Sequence, residues 1–497
     1  MGIVRNQSIK NSIYFYIGIF LGAISTVVLY PNAFNYHPEN LGLLQIIVAY
    51  STVISTFSYL GTPKTLIRFF PKVENKNQLI TLAFLIPIIG FLLFLLLYII
   101  FKDQFLQLIS ANKLLIENFN LVFFLVAFLS FFEVLSSLSR SLLNATIPIF
   151  LKEVFLKGMN IFLLFLHWFN YIDFSTFLNL FIFMYLGMTV ILSISIFREF
   201  SCKITFNFNQ IESKKLIVFG LYVLAGGAST MLASKLDMMM IGSMLDLEQV
   251  AYYTIAFFIG NVILVPARSI GSITAPLLSK AWEKNDLDEI NDIYKKSAIN
   301  QLLFGGLLFL AIWLNIDEGL SLLPEKFQGG KYVVLYIALS KLFSVSTGVN
   351  GQIIVNSKYY RFDLYSNIIL LIITIISNYI FIPESSPLSE YHIVGINGAA
   401  FATALSVIIF NTIKLIFLYI KIGIQPFTFS TIKAIVLIAI LYLLIANITF
   451  PNNVFYSLVL RFTMLFSLYI SLMILFNVSE DVNKILSETC NKYFKKN

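Results

Sequence analysis

Ser130, Glu133, Ser137, Arg140 and Asn144 succeed one another at spacings of three or four residues, so a helix carries all five on one face. The residues between them are mostly apolar, and a span over 119–141 puts Glu133 roughly 5 Å from its midpoint. An ionisable group at that depth costs roughly 2.5 to 3.5 kcal/mol on insertion scales, so it must face protein or water. Glu153, Lys157 and Asn160 form a similar stripe on the next apolar stretch. Two readings stay open: a Glu133–Lys157 pair that locks two helices, or the wall of a polar cavity. Thr230, Ser234 and Asp237 make a third stripe. Asp237 is either an acid at a helix end near the interface or, placed below it, a binder of a cation or proton. Arg68 and Arg268 lie near helix ends, where basic residues snorkel toward water or line an inward-facing cationic cavity. Lys341 is deeper in its span and calls for a protein or water partner.

These groups suit binding and coupling rather than bond-making. Gly329-Gly330-Lys331 lacks the spaced first glycine and the following Ser or Thr of a phosphate-binding loop. His37, His167 and His392 are scattered near helix ends, and Cys202 and Cys490 lie far apart, so neither a metal centre nor a disulfide framework is expected. The sequence therefore predicts no enzyme activity and no cofactor.

The elements that hold these residues are membrane helices. The chain has 497 residues, of which 58% are hydrophobic and 12% charged, against about a quarter charged in soluble domains. Apolar runs near the length that crosses about 30 Å of hydrocarbon predict fourteen spans. They cover 12–30, 41–60, 78–101, 119–141, 149–169, 175–197, 215–236, 249–270, 297–315, 331–350, 363–382, 394–418, 430–449 and 455–476. Arg5 and Lys10 precede the first span and no convincing small-residue cleavage site follows it, so an uncleaved first helix is expected.

With fourteen spans, 28 of the 34 Lys and Arg residues fall on one side, which places both termini in the cytoplasm and removes the case for nucleic-acid binding that a net charge of +8 would otherwise raise. Outward connections are short, and no soluble domain interrupts the spans. In the longest inward connection, 276–300, Leu287, Ile290, Ile293, Tyr294 and Ala298 recur at helical spacing and predict an amphipathic surface helix. Gly18 and Gly22, and Gly398, Ala402 and Ser406, recur every four residues and predict close helix packing, while Pro87 and Pro266 predict kinks. Gly22-Ala23-Ile24-Ser25-Thr26 in helix 1 is echoed by Gly226-Gly227-Ala228-Ser229-Thr230 in helix 7, as a parallel internal repeat would produce.

Leu236-Asp237-Met238-Met239-Met240-Ile241-Gly242, Val250-Ala251-Tyr252-Tyr253 and Pro266 through Ala275-Pro276-Leu277-Leu278-Ser279 resemble the helix 7 to helix 8 region of bacterial polysaccharide-biosynthesis (Wzx-type) flippases. Ile9-Lys10-Asn11-Ser12 and Val394-Gly395-Ile396-Asn397-Gly398-Ala399-Ala400 share the resemblance. It implies the all-α membrane fold of the multidrug, oligosaccharidyl-lipid and polysaccharide exporters: two pseudo-symmetric six-helix bundles facing each other in a V, over residues 1–200 and 201–425, with two further helices over 426–497. It also implies translocation of undecaprenyl-pyrophosphate-linked oligosaccharides across the bacterial cytoplasmic membrane for O-antigen, capsule or exopolysaccharide assembly, beside other glycan-assembly proteins. In lipid II and O-unit flippases basic residues of helices 1, 2 and 8 are implicated; here helix 1 has none within its span. On that resemblance Arg68, Arg268 and Lys341, with Arg140 and Lys157, are candidates for the pyrophosphate, and Glu133 and Asp237 for the coupling ion or cavity. A cation-coupled multidrug antiporter of the same superfamily is the alternative, ahead of a membrane glycan polymerase or acyltransferase.

Overall fold

A computed structural model describes residues 2–108, 112–200, 203–206, 213–448, 451 and 453–479. Cys202 and Cys490 lie outside the described residues. Helix is the regular secondary structure of the described residues, with no strand among them.

Among the described residues, twelve helices are long and apolar enough to cross a membrane. In chain order they are α1 (Lys10–Ala33), α2 (Pro38–Ser58), α3 (Lys76–Ile100), α4 (Asn120–Ser141), α6 (Phe174–Arg198), α7 (Lys214–Met244), α8 (Leu247–Glu283), α9 (Leu287–Trp313), α11 (Arg361–Phe381), α12 (Gly395–Ile422), α13 (Phe429–Ala446) and α14 (Val454–Leu475). A broken helix, α10, joins Glu325–Ser346 to Asn350–Asn356 through a 50° bend. The remaining predicted span is the helix over 146–168, α5, which carries Lys152, Glu153 and Lys157 within its first half. All fourteen predicted spans therefore have a helix.

Several boundaries move. α8 and α9 run on past the predicted spans and are separated by three residues, so 276–300 holds no separate surface helix. Asp286 starts α9 by accepting from the Glu289 backbone N–H at 2.9 Å. The amphipathic spacing reflects burial instead: Ile290, Tyr294 and Ala298 are inaccessible, and the first two pack with Leu278, Ala281, Ile353 and Leu418. α7 likewise extends eight residues beyond its predicted end. Pro87 sits within unbroken α3, whereas Pro266 follows a short 3-10 turn at Val262–Leu264 that interrupts α8. The two echoed glycine segments differ in conformation: α1 widens into a π-turn at Ile24–Leu29, while α7 stays regular.

The chain divides into two compact units, Met1–Ile255 and Ala256–Asn497. In the first, α2 is the central helix: 72% of its apolar window is buried, against 17% for α3, which turns leucines and isoleucines toward lipid. Gly42 allows α2 to meet the start of α8 so closely that a Cβ there would overlap the Leu247 carbonyl. In the second unit, Gly398 does the same for α12 against the Phe381 carbonyl, and Ser406 lies 3.2 Å from Ser377, so the small-residue stripe is a packing surface. α13 and α14 close a cluster with α9 through Leu437, Leu441, Leu465 and Tyr469. Outside the spans, Glu318 binds Arg461 of α14 at 2.7 Å. Partial burial alone would raise the Glu318 carboxyl, but the hydrogen bonds and charge of Arg461 hold it below its ordinary range.

Candidate functional site

On α4 and α5 of the first unit, Glu133 has a partner other than the one considered from the sequence, while Glu153 and Lys157 of one stripe pair with each other. Glu133 on α4 takes Lys152 at 3.0 Å, not Lys157. Lys157 instead binds Glu153 one turn before it at 2.7 Å and donates to the Gly18 carbonyl of α1 at 2.9 Å. The π-turn Leu151–Phe155 explains the exchange, because one extra residue in that turn rotates the faces of α5 before and after it. Gly18 is obligatory here, since a Cβ would meet the Glu153 side chain at 2.6 Å. The track continues to Asn160, which accepts from the buried Tyr30 hydroxyl at 3.0 Å. Ser130 is buried without a hydrogen-bond partner among the described residues, and Arg140 is exposed, its Nε donating to the Ser136 carbonyl at 3.2 Å. Glu133, Glu153 and Lys157 keep 28%, 20% and 32% of their side chains accessible, so this ion-pair face is only partly buried.

Asp237 is not at a helix end. It lies inside α7, 5% exposed, and accepts from the Tyr253 hydroxyl of α8 at 2.6 Å. Tyr253→Phe is expected to lower stability by about 1 to 3 kcal/mol, the cost of a lost bond to a buried carboxyl group. A thermal unfolding midpoint in detergent measures this, and an unchanged midpoint would mean the bond does not hold α7 to α8.

The basic candidates are dispersed. Arg68 belongs to a separate short helix, Thr62–Phe69, rather than to α2, and is exposed with its guanidinium 4.3 Å from the Phe219 ring centre. Arg268 is exposed on α8 just past its 3-10 turn, with about fifteen residues of helix beyond it. Lys341 of α10 is partly buried and lies 5.7 Å from the Phe257 ring centre.

A further polar centre, in the second unit, did not stand out in the sequence. Lys414 of α12 has 5% of its side chain accessible and binds Asp363 of α11 at 2.8 Å. Asn367 donates to the other Asp363 oxygen at 3.1 Å. One turn along α12, Asn411 accepts from Thr347 and Asn350, the residues flanking the α10 break, at 3.2 and 3.1 Å. Gly348 makes that break, with φ +61°, a backbone conformation that glycine adopts without strain, and a Cβ there would crowd Ala298 and Ser297 at 3.0 to 3.1 Å. Beside it is a cleft of about 190 Å³, bordered by Gly271, Gln301, Ser344, Gly351 and Gln352. The available signal was the pairing of Asp363 with Asn367 and of Asn411 with Lys414 at helical spacing; side-counting treats Lys414 as an ordinary cytoplasmic cation. Among the described residues, no three His, Cys, Asp or Glu side chains are placed to hold a metal.

The family model described as polysaccharide biosynthesis protein matches residues 8–282, more than half of the chain. The chain belongs to the polysaccharide biosynthesis protein family. A second model, MatE, matches residues 225–380 of this family member. Among solved structures, the lipid II flippase MurJ in an inward closed conformation superposes with a TM-score of 0.74 at 16% identity, covering 95% of this chain and 98% of MurJ. An inward-facing multidrug resistance MATE transporter of the MOP superfamily gives 0.63 at 13% identity, over 82% and 98% of the two chains. A MOP-superfamily transporter from Pyrococcus furiosus gives 0.55 at 14% identity, over 84% and 95%. At such identities the likeness is one of fold. No curated protein sequence matches the chain.

Proposed function

We propose that this family member is a flippase that carries undecaprenyl-pyrophosphate-linked oligosaccharide across the bacterial cytoplasmic membrane by alternating access, with both termini cytoplasmic. The family match over residues 8–282 carries the reading. The physics agrees with it. A pyrophosphate and a sugar chain cannot cross hydrocarbon unaided, so the carrier needs polar helix faces and cations within an apolar shell. The accessible ion-pair face of α4 and α5 and the buried Lys414 centre supply polar faces within membrane helices. Arg68 and Arg268, both exposed, recruit the headgroup, with Lys341 deeper in its helix. Glu133 and Asp237 serve the coupling ion or the cavity wall, with H+, Na+ or the membrane potential as driving force. The product feeds O-antigen, capsule or exopolysaccharide assembly, beside the other membrane proteins of that pathway.

A bond from Arg to phosphate contributes about 1.5 to 3 kcal/mol, so Arg68→Ala and Arg268→Ala are each expected to cut surface glycan export tenfold or more at normal insertion levels. Full export by both variants would overturn the assignment of these cations. The MatE match over 225–380 favours a cation-coupled multidrug antiporter as the second reading. The fuller coverage by MurJ than by the MATE transporter, 95% against 82%, argues against it, because α13 and α14 exceed a twelve-helix core. Retained drug efflux after removal of residues 430–497 would restore it.

A further inference from the structure

On the first unit, α3, α4 and α6 border a groove of about 540 Å³ whose walls are almost wholly apolar, among them Phe84, Ile88, Phe131, Leu135 and Phe197. The extended segment 203–206 crosses one end of it. The Lys203 backbone N–H donates to the Asn77 side-chain oxygen and that of Thr205 to the Thr81 hydroxyl, both at 3.2 Å, which ties the segment to the first turns of α3. Ile204 and Phe206 line the same groove yet remain 75% and 71% exposed, so the described residues leave this apolar surface uncovered.

The same end carries cations. Lys76 opens α3, Arg198 closes α6 immediately after the groove-lining Phe197, and Lys203 lies on the crossing segment; all three are exposed. The acids at this end are Glu74, which is exposed, and Glu199, which follows Arg198 in sequence, so three cations against two acids leave the rim net positive by one. An apolar trough with a cationic mouth is complementary to an amphiphile with one anionic head: a chain in the trough, a phosphate at the rim. We infer that this groove is a binding site for an anionic membrane phospholipid, with one acyl chain against Phe84, Ile88 and Leu135 and the phosphate on Lys76, Arg198 and Lys203. The volume suits a single acyl chain and is too small for a polyprenyl chain several times as long. The site does not depend on the transport reading above.

Native mass spectrometry of the purified full chain tests it, with phosphatidylglycerol, phosphatidylcholine of the same acyl chains, and undecaprenyl phosphate as separate probes. Phosphatidylglycerol should be retained at least tenfold over phosphatidylcholine. Lys76→Gln, Arg198→Gln and Lys203→Gln, all surface changes, should each weaken it about fivefold while leaving phosphatidylcholine unaffected. Ile88→Trp, which fills the trough, should remove the bound phosphatidylglycerol; where that variant does not fold, the three surface variants decide. Equal retention of the two phospholipids overturns the inference. So does indifference of phosphatidylglycerol to all three charge changes, or preferential retention of undecaprenyl phosphate.

Discussion

Asp363→Ala is expected to destabilise the protein by about 3 kcal/mol, seen as a thermal midpoint roughly 5 °C lower or more and as loss of monodisperse protein in detergent. The reason lies in what remains. Lys414 is 4% exposed among α10, α11 and α12, with the Phe410 ring 4.2 Å away, and without Asp363 its ammonium has lost its carboxylate partner in low dielectric. Asn367 loses an acceptor at the same time. The double variant Asp363→Leu/Lys414→Met removes both charges and is expected to regain most of the midpoint, since an apolar replacement of a buried pair is often neutral. If the single and double variants unfold together, the pair does not hold α11 to α12. Restored stability combined with lost glycan export would show that the charges serve transport rather than packing.

Gly42→Ala is the second large effect, at about 2 to 3 kcal/mol. The added methyl would overlap the Leu247 carbonyl, a backbone atom in the first turn of α8 that cannot swing aside as a side chain can. α2 is the most buried helix of its unit, so separating it from α8 disturbs packing that includes Leu41, Leu43 and Leu44. Gly187→Ala provides the contrast. Its Cβ meets nothing within 4 Å in the interior of α6, so the change should be neutral or stabilising by up to about 1 kcal/mol. Equal midpoints for the two variants would remove the distinction between a contact glycine and a free one.

The pairings show where reading by spacing stops. Helical periodicity grouped Glu153 with Lys157, which pair at 2.7 Å, because a four-residue step is a property of one helix. Which residue of α5 reaches Glu133 depends on the rotation of α5 relative to α4, and the π-turn at Leu151–Phe155 changes that rotation. For Asp237 the local sequence leaves two places open, a helix end near the interface or a position below it. The structure buries it, since Tyr253, sixteen residues later on α8, supplies a hydroxyl at 2.6 Å. A long-range partner of that kind leaves no mark in local sequence.

What the sequence determined by itself is the fourteen-helix membrane character, because spanning hydrocarbon requires apolar runs of a fixed length and the backbone must satisfy its own hydrogen bonds. It also marked the stripes on α4, α5 and α7 as groups that cannot face lipid. Tertiary structure decided how those groups are neutralised, where α7, α8 and α9 end, and that Lys414, one cation among many in the sequence, sits buried on Asp363. The cost of a charge in a membrane is set by the distance and direction of its partner, and these are fixed only when helices far apart in sequence pack side by side.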